Sequence, residues 1–568
     1  MKFKLINKEL NDLYGKIPLK HIILKNRGIE DVEKYTNLDD SVIHPYSLLK
    51  NIDKAKECLL KHIEKESEIG IIVDSDVDGS TSAAILYQYL CNIYKKEKIS
   101  YMLHTGKQHG IETSIEIHNK ISLLFVPDAG SNDIEQCKKL SEAGIDIIVL
   151  DHHEIEKENE FAIVVNPFSC DYPNKDLSGC AVVKKFLECL DDELWNDSSE
   201  YNDLVALSII ADSMSIKSFE NRRLIEIGLQ NVENKLFQML INKTSYSTGG
   251  NVTINNLAFY IVPLINALIR AGSFEEKIMM FKAFSQLDEW FDYQKNSKTE
   301  VVQEDIYTRV ARIATNLKAK QKREIDKSLD ELILKVIENN LLINKILICD
   351  ASTVDWNYTG LVAMKLADKF GRPCLLVRRG ADGKYSGSGR NNSNAIENLK
   401  DFLDSYGLFE YVLGHQNAMG ISIKPSNLKL FVEKSNKDLE NFDYSKIYLI
   451  DLEIDSSDID ADFVKDLNEM YEYYGQGIDE SLVLIKGIKI NSEDVQVMGE
   501  KKDTWKFIYN DEITFIKFRN TADDEMLSLL ADAWGEDITL NIIGKCSVSE
   551  FGGILTPQVN IEDYEIIR

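Results

Sequence analysis

Three apolar runs in the first half of the chain each end in an acid. Ile69, Ile71, Ile72 and Val73 lead into Asp74, Asp76, Asp78 and Gly79; Leu123 to Val126 lead into Pro127-Asp128; Ile145 to Leu150 lead into Asp151-His152-His153. Continuous apolar runs of this length predict buried parallel strands, and the carboxyl ends of such strands are where open α/β sheets place ligands. A helical pattern starts near Thr81, and strands alternate with helical patterns to about residue 230, the signature of βαβ units. Upstream, Ile52, Ala55, Leu59, Leu60 and Ile63 fall at helical spacing, so residues 1–65 read as a helical extension. Residues 255–290 and 300–340 also read as helices, the second long and charged. A second α/β unit opens at Ile346-Leu347-Ile348-Cys349-Asp350 and returns as a strand at Pro373 to Val377. Short apolar runs from 482 to 561 predict a small antiparallel barrel. The expected organisation is a helical extension (1–65), a parallel-sheet domain (66–290), a helical connector (291–340), a second α/β domain (341–430) and a β-barrel (440–568).

Composition narrows the class. A chain of 568 residues with 44% hydrophobic content supports three or four cored domains. No run of about 18 apolar residues is present, and Met1-Lys2-Phe3-Lys4 leads into polar sequence, so a cytoplasmic protein with no membrane partner is expected. Nine scattered cysteines without a Cys-x-x-Cys pair predict neither a zinc knuckle nor a disulfide framework. The net charge of −27 argues against non-specific coating of nucleic acid, because each phosphate contact depends on Lys or Arg. Two basic islands reverse the sign locally and are candidate backbone tracks: 309–323, with Arg309 and Arg312, and 365–390, with Arg372, Arg378 and Arg390.

Carboxylates with one or two imidazoles, delivered to one sheet edge, suit hard or borderline divalent ions such as Mn2+ or Mg2+. Two such ions about 3.5–4 Å apart polarise a phosphoryl group and acidify a bound water. A single Asp-x-Asp is more simply a helix cap. Three acidic motifs in strand order turn the balance toward metal-dependent phosphoester hydrolysis.

These residues resemble, nearly end to end, the RecJ family of DHH phosphoesterases, which degrade single-stranded DNA from the 5′ end. Asp74-Ser75-Asp76-Val77-Asp78-Gly79 is similar to the first motif, Asp128-Ala129-Gly130 to the second, Asp151-His152-His153 to the motif that names the superfamily, and Ala211-Asp212 to the fourth. Asn266 with Arg270 resembles a further element. Ser386-Gly387-Ser388-Gly389-Arg390 and Gly414-His415-Gln416-Asn417 resemble the DHH-associated domain, and Gly552-Gly553 with Thr556-Pro557-Gln558 the family's OB-fold domain. The resemblance implies that Asp76 and Asp78 bind different ions, that Asp128 bridges them, and that His152 and Asp212 complete the shell. Asp74 ligates or orients its neighbours, His153 lies nearer the substrate phosphate, and Asp151 fixes an imidazole from behind. Arg390, His415, Ser388, Gly389, Gly414, Arg270 and Asn266 are implied to bind substrate, and Trp505, Phe507 and Tyr509 are candidates for stacking on bases or for barrel core.

Several positions depart from the family pattern. Ile72 stands where some DHH relatives carry a ligating histidine, so the first ion is expected to rely on carboxylates and water. Ser131-Asn132-Asp133 alters the surroundings of the second motif, and Gly usually precedes the positions of Arg270 and Gly414. The departures fit a divergent, viral member. The resulting expectation is a monomeric, two-cation 5′ exonuclease of a bacterial or virus-infected bacterial cytoplasm. It acts in repair, recombination or replication, with single-stranded DNA as substrate and single-strand-binding or replication and repair proteins as partners. The alternatives are an oligonucleotide or cyclic-dinucleotide phosphodiesterase and a non-catalytic replication scaffold.

Overall fold

The computed structural model describes residues 1–106, 108–111, 120–294, 301–392, 396–500, 502–518, 524–532, 535–551 and 553–567; Gly552, singled out in the sequence, lies outside them. The chain divides into two compact units. One is built from residues 5–315 and 450–568, the other from 316–449 together with 2–4.

The first unit contains the expected parallel sheet. Its strands are β1 (Glu68–Val73), β2 (Ile99–Leu103), β3 (Ile121–Pro127), β4 (Asp146–Leu150) and β5 (Ile163–Val165), in the order β2-β1-β3-β4-β5. Every pairing is parallel. The apolar runs are continuous because both faces are covered. Leu124 and Val126 pack with Cys137 of the helix Ile134–Glu142, while Phe125 meets Phe186 on the other side. From β1 the chain steps outward to β2 and then returns past β1 to β3, so the strand order reverses between β1 and β3. That reversal opens a crevice at their carboxyl ends. Helices α1 (Val77–Ile93), α2 (Gly179–Leu194) and α3 (Asn202–Ala211) pack together against the sheet, and α4 (Val262–Ala271) follows a π-helical turn. The stretch Ile254–Ala271 is apolar and half buried against this domain.

The expected all-helical connector begins differently. Trp290–Gln294 and Val301–Asp305 pair as an antiparallel hairpin, and only then does α5 (Ile306–Glu338) run for 33 residues. Aromatics alternate along the first hairpin strand. Arg309 lies 4.6 Å from the Phe291 ring centre and Arg312 4.1 Å from that of Tyr293. Arg312 also grips Glu304 with two hydrogen bonds of 2.8 and 2.6 Å.

The second unit carries β6 (Leu347–Asp350), β7 (Cys374–Arg379), β8 (Tyr385–Arg390), β9 (Phe409–His415) and β10 (Ala418–Ile423), in the order β9-β10-β8-β7-β6. Only β6 and β7 run parallel. Arg372 donates to the carbonyls of Leu342 and Asn344, each at 2.7 Å, and Arg378 donates to that of Val354. Four arginines of the two basic islands therefore brace the fold, which corrects their reading as phosphate tracks.

The tail forms a seven-stranded sheet of β11 (Leu452–Asp455), β12 (Val483–Asn491), β13 (Gln496–Met498), β14 (Thr504–Tyr509), β15 (Ile513–Lys517), β16 (Asp537–Phe551) and β17 (Ile554–Ile567), in the order β11-β12-β16-β17-β15-β14-β13. It is mixed rather than antiparallel, because β11 with β12 and β15 with β17 pair in parallel. Trp505 and Phe507 are fully buried, Phe507 stacking on Phe515 at 5.0 Å, so they are barrel core and not a base-stacking surface. Tyr509 is half-buried and its hydroxyl donates to the Ser456 carbonyl. The sheet is tied to the chain's start, where Arg27 bonds Asp451 with both terminal nitrogens, at 2.6 and 2.8 Å.

Candidate metal centre

The acidic triplet leaves β1 at the crevice. Asp76 is the N-cap of α1, accepting from the Gly79 amide at 2.8 Å. A Cβ on Gly79 would stand 2.4 Å from the Cβ of Asp74, so only glycine lets the helix start this close to the strand end. The simple cap reading is thus true of Asp76, and the cap itself turns the triplet into the crevice.

Asp128 follows β3 in the left-handed region, φ +63°, with its amide donating to the Leu150 carbonyl at 2.8 Å. A non-glycine residue held there is strained, and the first residue of α2 closes over it. A Cβ on Gly179 would lie 2.4 Å from Asp128 Oδ1 and 2.8 Å from its Cα. The same helix start holds Asp78, whose two oxygens accept from the amides of Gly179 (2.7 Å) and Cys180 (2.8 Å). Ser208 and Ser82 donate their hydroxyls to the second oxygen. A carboxylate is favoured at a helix N-terminus, where amides point outward unpaired.

Asp212 occupies the opposite kind of position. It caps the carboxyl end of α3, where the helix dipole disfavours negative charge and favours a cation. His152 draws these groups together: its Nε2 lies 3.2 Å from Asp128 Oδ1, 3.5 Å from Asp212 Oδ2 and 3.8 Å from Asp78 Oδ2. Behind it Asp151 accepts from the amides of His152 (2.7 Å), His153 (3.1 Å) and Ser131 (3.1 Å) and bonds His153 Nδ1 at 2.8 Å.

Electrostatics separate the members. Burial, reinforced by the neighbouring carboxylates, raises the pKa of Asp76, lifts that of Asp128 far above the carboxylate range and pushes Asp212 up to about 8. Burial alone would raise Asp151 too, but the hydrogen bond and charge of His153 hold it well below the usual range. The reciprocal bond pushes His153 up to about 9.

Asp128 Oδ1 and His152 Nε2 are both buried without a well-formed hydrogen bond. An unpaired acceptor and an unpaired ring nitrogen facing each other in a crowd of carboxylates are costly unless a cation joins them. Ligand atoms of Asp78, His152 and Asp212 lie within 4.8 Å of one another, as do those of Asp128, His152 and His153, and those of Asp74, Asp76 and His109. Oxygen donors with imidazole fit divalent Mn2+ or Mg2+.

Two imidazoles escaped the sequence reading. His104 and His109 follow the edge strand β2, with His104 Nε2 3.6 Å and His109 Nδ1 2.5 Å from Asp74. Ser100 and Tyr101 break the run Ile99-Ser100-Tyr101-Met102-Leu103, so it carries no continuous apolar signal, and His104 just past its end is the one mark the sequence offers there. Ile72 is buried in the core, and the only imidazoles beside Asp74 among the described residues come from this loop.

Asn266 and Arg270 sit one turn apart on α4, both half-buried, and among the described residues neither bonds to the acidic cluster. Burial lowers the Arg270 pKa. In the second unit Arg390 and His415 both pair with Ala418, one on each side of β10. Two strand spacings, about 10 Å, separate their backbones. His415 is exposed, whereas Arg390 lies against Gly360, where a Cβ would meet its Nη2 at 2.4 Å. Ser388 lies opposite Gly420, two residues along the strand from that row. Gly389 and Gly414 were expected to let substrate approach. The sheet itself also requires glycine at both, since a Cβ would meet Met419 Sδ (2.6 Å) and the Ala418 carbonyl (2.6 Å) respectively. Their glycines serve strand packing.

Comparison with known proteins agrees with this geometry. The pattern of the DHH family, N-terminal domain, matches residues 68–209, and that of the RecJ OB domain matches residues 450–563. Over its whole length the chain is 38% identical to YorK of Bacillus subtilis (strain 168), named as a candidate SPbeta prophage-derived single-strand DNA-specific exonuclease, covering 99% of that protein. The single-stranded-DNA-specific exonuclease RecJ of Bacillus subtilis is 24% identical across 98% of this chain and 69% of its own length. In fold, the crystal structure of RecJ from Thermus thermophilus in complex with Mn2+ matches with a TM-score of 0.73 at 19% identity, covering all of this chain and 78% of that one. With a relative this similar from end to end, both domain patterns in order and the acidic motifs gathered in one crevice, the chain belongs to the RecJ family of DHH phosphoesterases.

Proposed function

We propose that the protein is a metal-dependent exonuclease that hydrolyses single-stranded DNA from its 5′ end and releases mononucleotides. The observation that carries this reading is the convergence of Asp76, Asp78, Asp128, His152 and Asp212, with buried Asp128 Oδ1 and His152 Nε2 left without well-formed hydrogen bonds. Asp78, His152 and Asp212 would hold one cation and Asp76 the other, with Asp128 shared. Bound there, two divalent ions supply charge neutralisation at the phosphoryl oxygens and an acidified water.

The chain's own groups then position the substrate. Asp151 orients His153 through Nδ1, leaving Nε2 to donate to a phosphate oxygen. Arg390 and His415, side by side across β10, are suited to grip the phosphodiester backbone, and Arg270 and Asn266 are further candidates for holding substrate. The relatives named for single-strand DNA-specific exonuclease activity support this substrate class.

The test is an assay with Mn2+ or Mg2+ on 5′- and 3′-labelled single strands, a duplex, dinucleotides and a cyclic dinucleotide. Mononucleotides released from the 5′ end of long single strands are expected, and Asp128→Ala should abolish them while circular dichroism stays unchanged. Cleavage restricted to dinucleotides or cyclic dinucleotides would replace this reading with that of a small-substrate phosphodiesterase, and no cleavage with any substrate would point to a scaffold.

A further inference from the structure

His109 sits in a loop built to aim it. Gly110 adopts φ +66°, and its amide donates to Asp74 Oδ1 at 2.9 Å. The next amide, of Ile111, donates to Asp133 Oδ2 at 2.6 Å, and a Cβ on Gly110 would stand 2.2 Å from that same oxygen. Ile111 itself is buried in the core beside β3. The loop is therefore anchored on both sides of one crevice, by Asp74 after β1 and by Asp133 in the altered segment after β3.

Within that frame the His109 ring presents Nδ1 to Asp74 Oδ2 at 2.5 Å. Asp74 is buried while the His109 side chain is 62% exposed, so the carboxylate is fixed behind and the ring faces outward. A histidine that ligates a metal through one nitrogen commonly donates the other N–H to a carboxylate, which sets the tautomer and the ring's direction. His109 and Asp74 form that pair, and a ligand atom of Asp76 lies within 4.8 Å of both. His153 with Asp151 repeats the arrangement on the other side of the acids, but the second ring serves the substrate in the reading above.

We propose that His109 is a ligand of the cation on the Asp76 side of the centre and that Asp74 orients its ring. This rests on the two-cation reading. It gives the second ion an imidazole of its own, delivered by the loop after the edge strand.

The proposal is tested on the full chain by calorimetric titration with Mn2+ and by pulsed electron paramagnetic resonance of bound Mn2+ in protein carrying 15N-histidine. The wild type is expected to bind two ions and to show nitrogen couplings from two histidines. His109→Ala and His109→Gln should each lose one coupling and weaken one site at least about tenfold, leaving the other site unchanged, while His153→Ala should alter neither. Thermal melts confirm that the variants fold. If both His109 variants bind two ions with wild-type affinity and couplings, the proposal is overturned and the nuclease reading survives. If the wild type itself binds no Mn2+, the centre and the nuclease reading fall with it.

Discussion

At the scale of single residues, two aspartates show how position sets the behaviour of one functional group. Asp78 is surrounded by amides and hydroxyls at a helix start, whereas Asp212 stands at a helix end among acids and imidazoles. Burial first, and then the charges of Asp78 and Asp76, push Asp212 up to about 8, so the folded chain holds a proton there more tightly than the unfolded chain, for which the value is 3.8. Stability from this group is complete below the lower value and is lost as pH rises through the upper one. Metal-free protein is thus expected to melt at progressively lower temperature as pH climbs from about 4 to about 8, with Mn2+ restoring most at the alkaline end. Scanning calorimetry with and without the ion checks this, and Asp212→Asn should flatten the metal-free profile. A second expectation concerns Gly179. Because a Cβ there would collide with Asp128, Gly179→Ala should displace the Asp128 carboxylate and cut turnover about a hundredfold without unfolding the chain. A wild-type rate would show that the turn can yield.

At the scale of elements, burial decides what the sequence discloses. Strands β1, β3 and β4 are legible because helices cover both their faces and, past Glu68, Ser122 and Asp146 near their starts, no position is polar. The edge strand β2 is buried only at Ile99 and Met102 and has no continuous apolar run, so the approach of His104 and His109 stays hidden with it. The hairpin before α5 is hidden for another reason. Its partly exposed strands are defined by arginines reaching back from the helix, a tertiary contact that no local period records. The same contacts occupy Arg309 and Arg312, two of the cations of the 309–323 basic island. Arg312→Ala leaves the buried Glu304 carboxylate without its bidentate partner, and the loss is expected to be about 1–3 kcal/mol, read from denaturant melts. The salt dependence of single-strand binding should be unaffected; a shallower slope would return Arg312 to the DNA path.

At the scale of the molecule, the barrel belongs to the same compact unit as the catalytic sheet. Arg27 reaches Asp451, Ile216 donates to the Gln476 carbonyl at 2.9 Å, and Arg222 lies 4.5 Å from the Tyr473 ring centre. The sequence marked the barrel as a separate tail because long-range ion pairs leave no trace in spacing. Asp451 is wholly buried, so Arg27→Ala strands a charge and is expected to cost about 3–5 kcal/mol. Asp451→Asn in the same chain should recover part of that loss; if it recovers none, the pair is not the source. The interruption of this unit by residues 316–449 also orders its birth. During synthesis the inserted segment leaves the ribosome before the strands that complete the outer unit, and β17, the central strand between β16 and β15, leaves last. The nuclease half must wait with apolar surface open while the later-encoded insert is already able to close, a reversal of the usual amino-terminal precedence. Nascent chains arrested once residue 449 has emerged from the ribosome, but before β16 has, should therefore resist protease across the insert and yield to it across the half that was made first.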